Sequence, residues 1–368
     1  MAGWHGVDTV TADTVEAVVP QIRRRMVEPD RTATPAVPVG GRDIPLATFL
    51  RRCADAFESV QPDRQAPAQH GVDEAAFAAT RDAFIAAGLA ALDPAGTRYG
   101  WVQLNLRLAG WPPPADLYAG LRDTMQESLG EARVRNASFM HKPPGLRLRF
   151  EVPAGDRQRF RAWLLARVES WCAAGLVTSV EHGVYEPEAL LFGGPVSMTH
   201  VHRLFTHDAL TWLEHHAGPA VGVPDPAWGL SLLMLRPLYS ALGIDGWEDL
   251  GVWDWLCRRG GRRLAPSAVP AGDLENALAA VRTAWRRPFQ LRAQLSPRAR
   301  DLAERYERSM KPDCARWREE YLGSGHAVVG PRQTAALLTI FHWNRAGLSD
   351  ARQSLLTHAL MSQVSDAD

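Results

Sequence analysis

Hydrophobic positions switch repeatedly between helical spacing and a period of two along the chain. Over roughly the first 95 residues they recur at helical spacing between proline-rich breaks. In PLATFLRRCADAFESV, Leu46, Phe49, Leu50, Cys53 and Phe57 share a helix face, and in VDEAAFAATRDAFIAAGLAAL so do Ala76, Phe77, Phe84 and Leu89. After the break at DPAGTR the period drops to two. YGWVQLNLRL sends Val102, Leu104, Leu106 and Leu108 to one face of a strand and Trp101, Gln103, Asn105 and Arg107 to the other. Helical spacing returns in PADLYAGLRDTMQESLG and stops at Gly130. Two strands, VRNASFMHK and GLRLRFEVP, then meet at the turn Pro143-Pro144-Gly145. A helix from Asp156 to about Ala174 carries Phe160, Trp163, Leu164, Val168 and Trp171 on one stripe, and a last strand is expected through LVTSVEHGVYEPE. Beyond Gly194 the pattern is helical to the end, interrupted at AGPAVGVPDPAWG and GGRRLAPSAVPAGD.

The order β-α-β-β-α-β predicts an α+β fold with a ferredoxin-like antiparallel sheet covered by helices on one face. The expected organisation is a helical N-terminal region over 1–97, the sheet unit over 98–192 and a helical C-terminal region over 193–368, with 98–368 forming one domain. If Leu146, Leu148 and Phe150 meet the helices, Arg147 and Arg149 point away from them, beside Gln103, Asn105 and Arg107. The C-terminal helices are then expected to cover that polar face and leave an arginine-lined cleft.

Composition narrows the partners. Lys plus Arg equals Asp plus Glu at 41 each, which excludes a global field for nucleic acid. No segment reaches the ~18 apolar residues of a membrane span, and the N-terminus lacks the basic start and apolar run of a signal peptide. Cys53, Cys172, Cys257 and Cys314 stand apart, without CxxC or metal-ligand spacing. A cytoplasmic protein without membrane or metal is expected. Neither GxGxxG, GxxxxGK[ST] nor GxSxG occurs, so no cofactor is expected either. A basic run does exist: Arg258, Arg259, Arg262 and Arg263, continued by Arg286, Arg287 and Arg292. It reads either as a solvated face or as a dock for an acidic peptide.

Two stretches concentrate polar chemistry. In YEPEALLFGGPVSMTHVHRLFTHD, Tyr185, Glu186 and Glu188 are expected to end a strand before the Gly193-Gly194-Pro195 turn. Glu186 and Glu188 either neutralise Arg147 and Arg149 as structural ion pairs or present acid–base groups. His200 and His202 are two apart and point different ways on a helix, which disfavours a shared metal and leaves a local acid or base. In LLTIFHWNRAGLSDARQSLLTHAL, His342, Asn344 and Arg345 crowd a helix end before Gly347, and Ser349 reads as the N-cap of a last helix. Polar side chains so crowded need partners if they are buried.

YGWVQLNLRL, GLRLRF, YEPEALLFGGPVSM followed by LFTHDAL, and FHWNRAGLS, in this order, resemble the C-terminal domain shared by lantibiotic dehydratases and stand-alone thiopeptide-type bacteriocin biosynthesis proteins. The resemblance runs roughly from Tyr99 to Leu360. It implies a ribosomally made precursor peptide, leader plus dehydrated core, as substrate. In the dehydratases the domain eliminates glutamate from glutamylated Ser or Thr, with arginines and a histidine near the reacting group. In the stand-alone relatives a formal 4+2 aza-cycloaddition between two dehydroalanines builds a pyridine, closes a macrocycle and releases water and the leader. A chain with a helical N-terminal region and no glutamylation domain is more similar to the second type.

On that resemblance, Tyr185, Glu186, Glu188 and His342 are the acids or bases, and Arg147 and Arg149 hold the peptide or stabilise negative charge. Gln103, Asn105, His200, Asn344 and Arg345 would bind substrate, and Arg258, Arg259, Arg262 and Arg263 the leader. The family's tyrosine before the glycine pair is here Phe192 and its serine after the helix aspartate is here Ala209, so neither position offers a hydroxyl. Glutamate elimination by a split dehydratase and a non-catalytic precursor-binding role are the alternatives, and homodimer formation is left open.

Overall fold

The computed structural model describes residues 36–58, 73–91, 99–218, 225–264 and 271–362. The N-terminal stretch compared with a signal peptide, the DPAGTR break and parts of the two later interruptions lie outside these residues. The chain divides into two compact units, Met1–Leu92 and Asp93–Asp368. It mixes helices with two small antiparallel sheets.

In the first unit β1 (Ala36–Val39) and β2 (Arg42–Pro45) form a hairpin, followed by α1 (Leu46–Glu58) and α2 (Glu74–Ala91). The hairpin corrects the expectation of a wholly helical N-terminal region. Its turn, Gly40-Gly41, takes φ of 55° and 81°, the left-handed pair that a two-residue hairpin turn requires. Val39, Ile44, Phe49, Cys53 and Phe77 form the unit's small core, with Phe49 edge-on to Phe77 at 5.5 Å.

The second unit begins with β3 (Tyr99–Leu108), α3 (Ala115–Gly130), β4 (Asn136–Lys142), β5 (Gly145–Pro153), α4 (Arg157–Ala173) and β6 (Val177–Gly183). The strands lie in the order β4-β5-β3-β6, each neighbour antiparallel. Leu117, Tyr118, Leu121 and Met125 of α3 and Phe160, Leu164, Val168 and Trp171 of α4 join the core of Val102, Leu104, Leu106, Leu146, Leu148 and Phe150. The alternation of apolar side chains therefore buries one sheet face against these helices. On the opposite face, paired residues form rows: Met140, Arg147, Asn105 and Glu181, then Ser138, Arg149, Gln103 and Gly183. β6 stops at Gly183, so Tyr185, Glu186 and Glu188 follow the strand instead of ending it, in an irregular stretch that was expected to be sheet.

Eight helices complete the described residues: α5 (Pro195–His216), α6 (Ala227–Ala241), α7 (Asp249–Arg258), α8 (Ala271–Arg286), α9 (Pro288–Gln294), α10 (Pro297–Trp317), α11 (Pro331–Arg345) and α12 (Asp350–Met361). Ser349 caps α12, its side chain accepting from the Arg352 N–H. Helices α5 and α11 dock along β4, an edge strand. The Ala137 N–H donates to Thr206 Oγ1 at 3.1 Å, and Arg345 Nε donates to the Phe139 carbonyl at 3.1 Å. These two bonds take up strand groups that no neighbouring strand satisfies. The polar face is thereby closed over its Trp101–Arg149 half and stays open around Arg107 and Arg147.

Candidate active site

Arg149 is only 7% exposed although it stands on the polar face. Its Nε donates to Gln103 Oε1 at 3.0 Å, and its guanidinium lies over the Tyr185 ring at 4.2 Å. Burial lowers its pKa, while Tyr185 and Glu188 favour the cation. Tyr185 comes from the stretch after β6 and packs edge-on to Trp101, 4.7 Å between ring centres. Its Oη lies 3.0 Å from Nε2 of His202 on α5. Burial pushes His202 down to about 4 against the pull of Glu151, so this imidazole is neutral near pH 7. The Tyr185 hydroxyl is held protonated by burial first and by Glu188 second.

Glu151, beside them, would be raised by burial, but hydrogen bonds from Arg135 and from Asn136 at 2.6 Å outweigh that and hold its carboxyl below the ordinary range.

Glu188 and Arg345 complete the group. Glu188 acts electrostatically on both Arg149 and Tyr185, and so does Arg345. Arg345 is held at two points, by the Phe139 carbonyl and by Asp208 Oδ2 at 2.8 Å, with its guanidinium 4.1 Å over the Phe205 ring. Its Nη2 and the Oε2 of Glu188 are both buried without a hydrogen-bond partner among the described residues. Unpaired polar atoms are costly to bury, and here a donor and an acceptor are kept so within electrostatic reach of Arg149 and Tyr185. Among the described residues neither Glu186 nor Glu188 forms an ion pair with Arg147 or Arg149, although Glu188 acts on Arg149 electrostatically; Glu186 is exposed.

The turn that delivers Glu188 is pinned by Tyr321, whose Oη donates to the Gly193 carbonyl at 3.1 Å and accepts from the Val328 N–H at 3.1 Å. Gly193 has φ of 89°, and a Cβ there would meet Tyr321 Oη at 1.9 Å. Gly193→Ala is expected to cost about 1–3 kcal/mol, read as a lower Tm together with reduced activity. An unchanged Tm would mean that the turn is not held this way.

Other expected site residues are placed elsewhere. His342 is buried, with Nδ1 donating to Asp208 Oδ1 at 2.6 Å and Nε2 2.9 Å from Ser231 Oγ. Trp212 Nε1 lies 3.2 Å from the same Nδ1, but the shorter contact to a carboxylate claims its proton. His342 thus orients Asp208, and through it Arg345. His200 faces α10, its ring parallel to Trp317 and its Nε2 3.1 Å from Glu320. Asn344 accepts from His141 Nδ1 through its carbonyl at 2.8 Å and from Gln353 through Oδ1 at 3.3 Å. Arg147 and Asn105 line the open part of the polar face. In the basic run, Arg258 pairs with Asp254, and Arg262 is tied to Gln353 Oε1 and the Gly260 carbonyl, both at 2.7 Å. Arg259 and Arg263 are exposed.

Trp101 and Asp208 were not chosen from the sequence, and His202 was weighed there only beside His200 as a local acid or base. Trp101 shares the strand face of Gln103, a signal that was available; His202 and Asp208 owe their roles to partners far along the chain. Phe192 packs on Phe205 and Phe341, and Ala209 is wholly buried, so the two positions without a hydroxyl belong to the core. Among the described residues no three His, Cys, Asp or Glu side chains gather as metal ligands, and no single helix is long and apolar enough to cross a membrane.

A model of the family described as lantibiotic biosynthesis dehydratase C-term matches residues 101–364. Among solved structures the chain is similar to the tRNA-dependent lantibiotic dehydratase MibB from Microbispora sp. 107891, at 18% identity and a TM-score of 0.49. The match covers 71% of this chain and 27% of that one, so the chain spans about a quarter of that protein's length. No curated protein matches.

Proposed function

We propose, on the premise that this chain belongs to the lantibiotic biosynthesis dehydratase C-terminal family, that it modifies a ribosomally made precursor peptide on the covered polar face of the sheet. The finer reading is pyridine formation by a formal 4+2 aza-cycloaddition between two dehydroalanines of that peptide. The observation that carries it is the group Arg149, Tyr185, Glu188 and Arg345, with an unpaired donor and an unpaired acceptor.

The azadiene is a dehydroalanine whose preceding amide has become an iminol, a change that takes a proton from nitrogen and supplies one to oxygen. Glu188 is the acceptor for the N–H, and Tyr185, Arg149 and Arg345 are the donors for the oxygen. Two carbon–carbon bonds then form, and the amide oxygen leaves as water while the leader leaves on its nitrogen. Each departure takes a proton at the leaving atom, supplied from the Tyr185 hydroxyl, and loses a ring C–H proton to Glu188, while Arg149 and Arg345 hydrogen-bond the departing oxygen without giving up a proton. Holding the two alkenes in one geometry supplies much of the rate, since proximity alone contributes roughly 7–11 kcal/mol. The apolar surroundings of Phe192 and Ala209 support a site remodelled away from hydroxyl-assisted elimination.

Purified protein incubated with a dehydrated precursor is expected to give a product lighter by water and the leader. A glutamylated peptide that instead loses only glutamate would establish elimination, and unchanged masses with both peptides would sink an enzymatic role. Tyr185→Phe and Arg149→Ala, with folding verified by circular dichroism, are each expected to slow turnover about a hundredfold, the scale of a lost transition-state donor. Wild-type turnover in both would return this face to scaffolding.

A further inference from the structure

The open half of the polar face carries charge that the covered half does not use. Arg107, Lys142 and Arg147 line a groove of about 170 Å³ with Asn105 and Ser179, and Glu181 is the single acid in its lining. None of the three cations has an ion pair among the described residues, whereas Arg122, Arg133 and Arg305 on other surfaces each lie against a carboxylate. We propose that this groove docks an acidic segment of an extended peptide. The proposal rests on the peptide-modifying reading above and names where the substrate is held.

Three features set the occupant's chemistry. The groove's charge is positive by two, while the whole chain is balanced at 41 of each sign, so the excess is local and selects an anion at this place. Its volume admits side chains of an extended chain, not a folded domain. No aromatic side chain lines it, so it offers bases nothing to stack on, which favours an acidic peptide over a nucleic acid. Its floor also adjoins β6, which pairs only with β3 and leaves one edge for an extended segment to lie beside. Arg147 and Arg149 are two residues apart on one face, a step of about 7 Å. An acidic segment anchored at Arg147 is therefore held beside the covered half of the face that carries Arg149 and Tyr185.

The test is fluorescence anisotropy on the full chain with a labelled Glu-rich peptide and its Gln counterpart. The Glu-rich peptide is expected to bind with an affinity that falls with added salt, and the Gln counterpart to bind far more weakly. Combined Arg107→Ala, Lys142→Ala and Arg147→Ala is expected to weaken binding about tenfold or more at low salt. Glu181→Lys is expected to strengthen it several-fold, a gain that a misfolded variant cannot imitate. Arg161→Ala with Arg308→Ala, exposed on α4 and α10, is expected to change nothing.

Unchanged affinity in the triple variant, no gain in Glu181→Lys, or displacement by free glutamate or oligothymidylate as effective as by the peptide would each overturn the groove. Triple-variant protein that still binds as wild type and still changes precursor masses would overturn the groove alone. Wild-type protein that binds the peptide through these residues but never changes a precursor mass would overturn the enzymatic reading alone.

Discussion

Replacing Asp208 with asparagine is expected to destabilise the fold by about 3–5 kcal/mol and to abolish activity in whatever protein still folds. The carboxylate is 4% exposed and divides its oxygens between His342 at 2.6 Å and Arg345 at 2.8 Å. Burial alone would raise its pKa, but His342 and Arg345 more than compensate and keep it ionised. Asparagine keeps the shape and removes the charge, leaving the Arg345 guanidinium buried without its counterion. Breaking one partner of a buried pair costs far more than the pair contributes when intact, which is why the expected effect exceeds that of a surface bridge. Denaturant unfolding measures the loss. A change below about 0.5 kcal/mol would show that solvent or another anion reaches Arg345. Coupling with Arg345→Met in a double-mutant cycle would assign the energy to this contact.

Acid is expected to unfold the protein through its buried histidines. Burial pushes His141 and His202 down to about 4 and His216 to about 3. His141 donates from Nδ1 to the Asn344 carbonyl and lies 2.7 Å from the Tyr118 hydroxyl, while His216 bonds the Arg345 carbonyl at 2.9 Å. In the unfolded chain each titrates near 6.5, so below that pH the unfolded state binds more protons than the folded one. Their contribution is intact above 6.5 and is lost as pH falls towards 4. Each histidine removes up to about 1.4 kcal/mol per pH unit, and three remove about 4. Against a typical stability of roughly 5–15 kcal/mol, unfolding is expected between about pH 5 and 4. Tryptophan fluorescence against pH reads the midpoint, and His202→Gln is expected to move it lower. A native signal persisting below pH 4 would show that these imidazoles take up protons without unfolding.

The line between what was legible and what was not follows sequence distance. The two-residue alternation of Leu146, Leu148 and Phe150 with Arg147 and Arg149 already implied a strand with one apolar and one polar face. The hairpin at 36–45 was missed although Gly40-Gly41 signals its turn, because the flanking strands are only four residues each and contain Pro38 and Pro45. The end of β6 was overrun because Val184 and Tyr185 continue the alternation for two residues after pairing has stopped.

The sequence by itself determined the order of strands and helices in the second unit, the polar face and the stretches from which its chemistry comes, since these follow from local periodicity. Only the tertiary structure decided their roles. It sealed His342 against Asp208 and Ser231, turned His200 towards Trp317, and brought Arg345 to a carboxylate 137 positions away and within electrostatic reach of Tyr185 and Arg149. A side chain's part in chemistry depends on what is left unpaired once every other polar group has found its partner. That remainder is a property of the packed chain, because the partners of a buried charge are chosen by packing between elements remote in sequence.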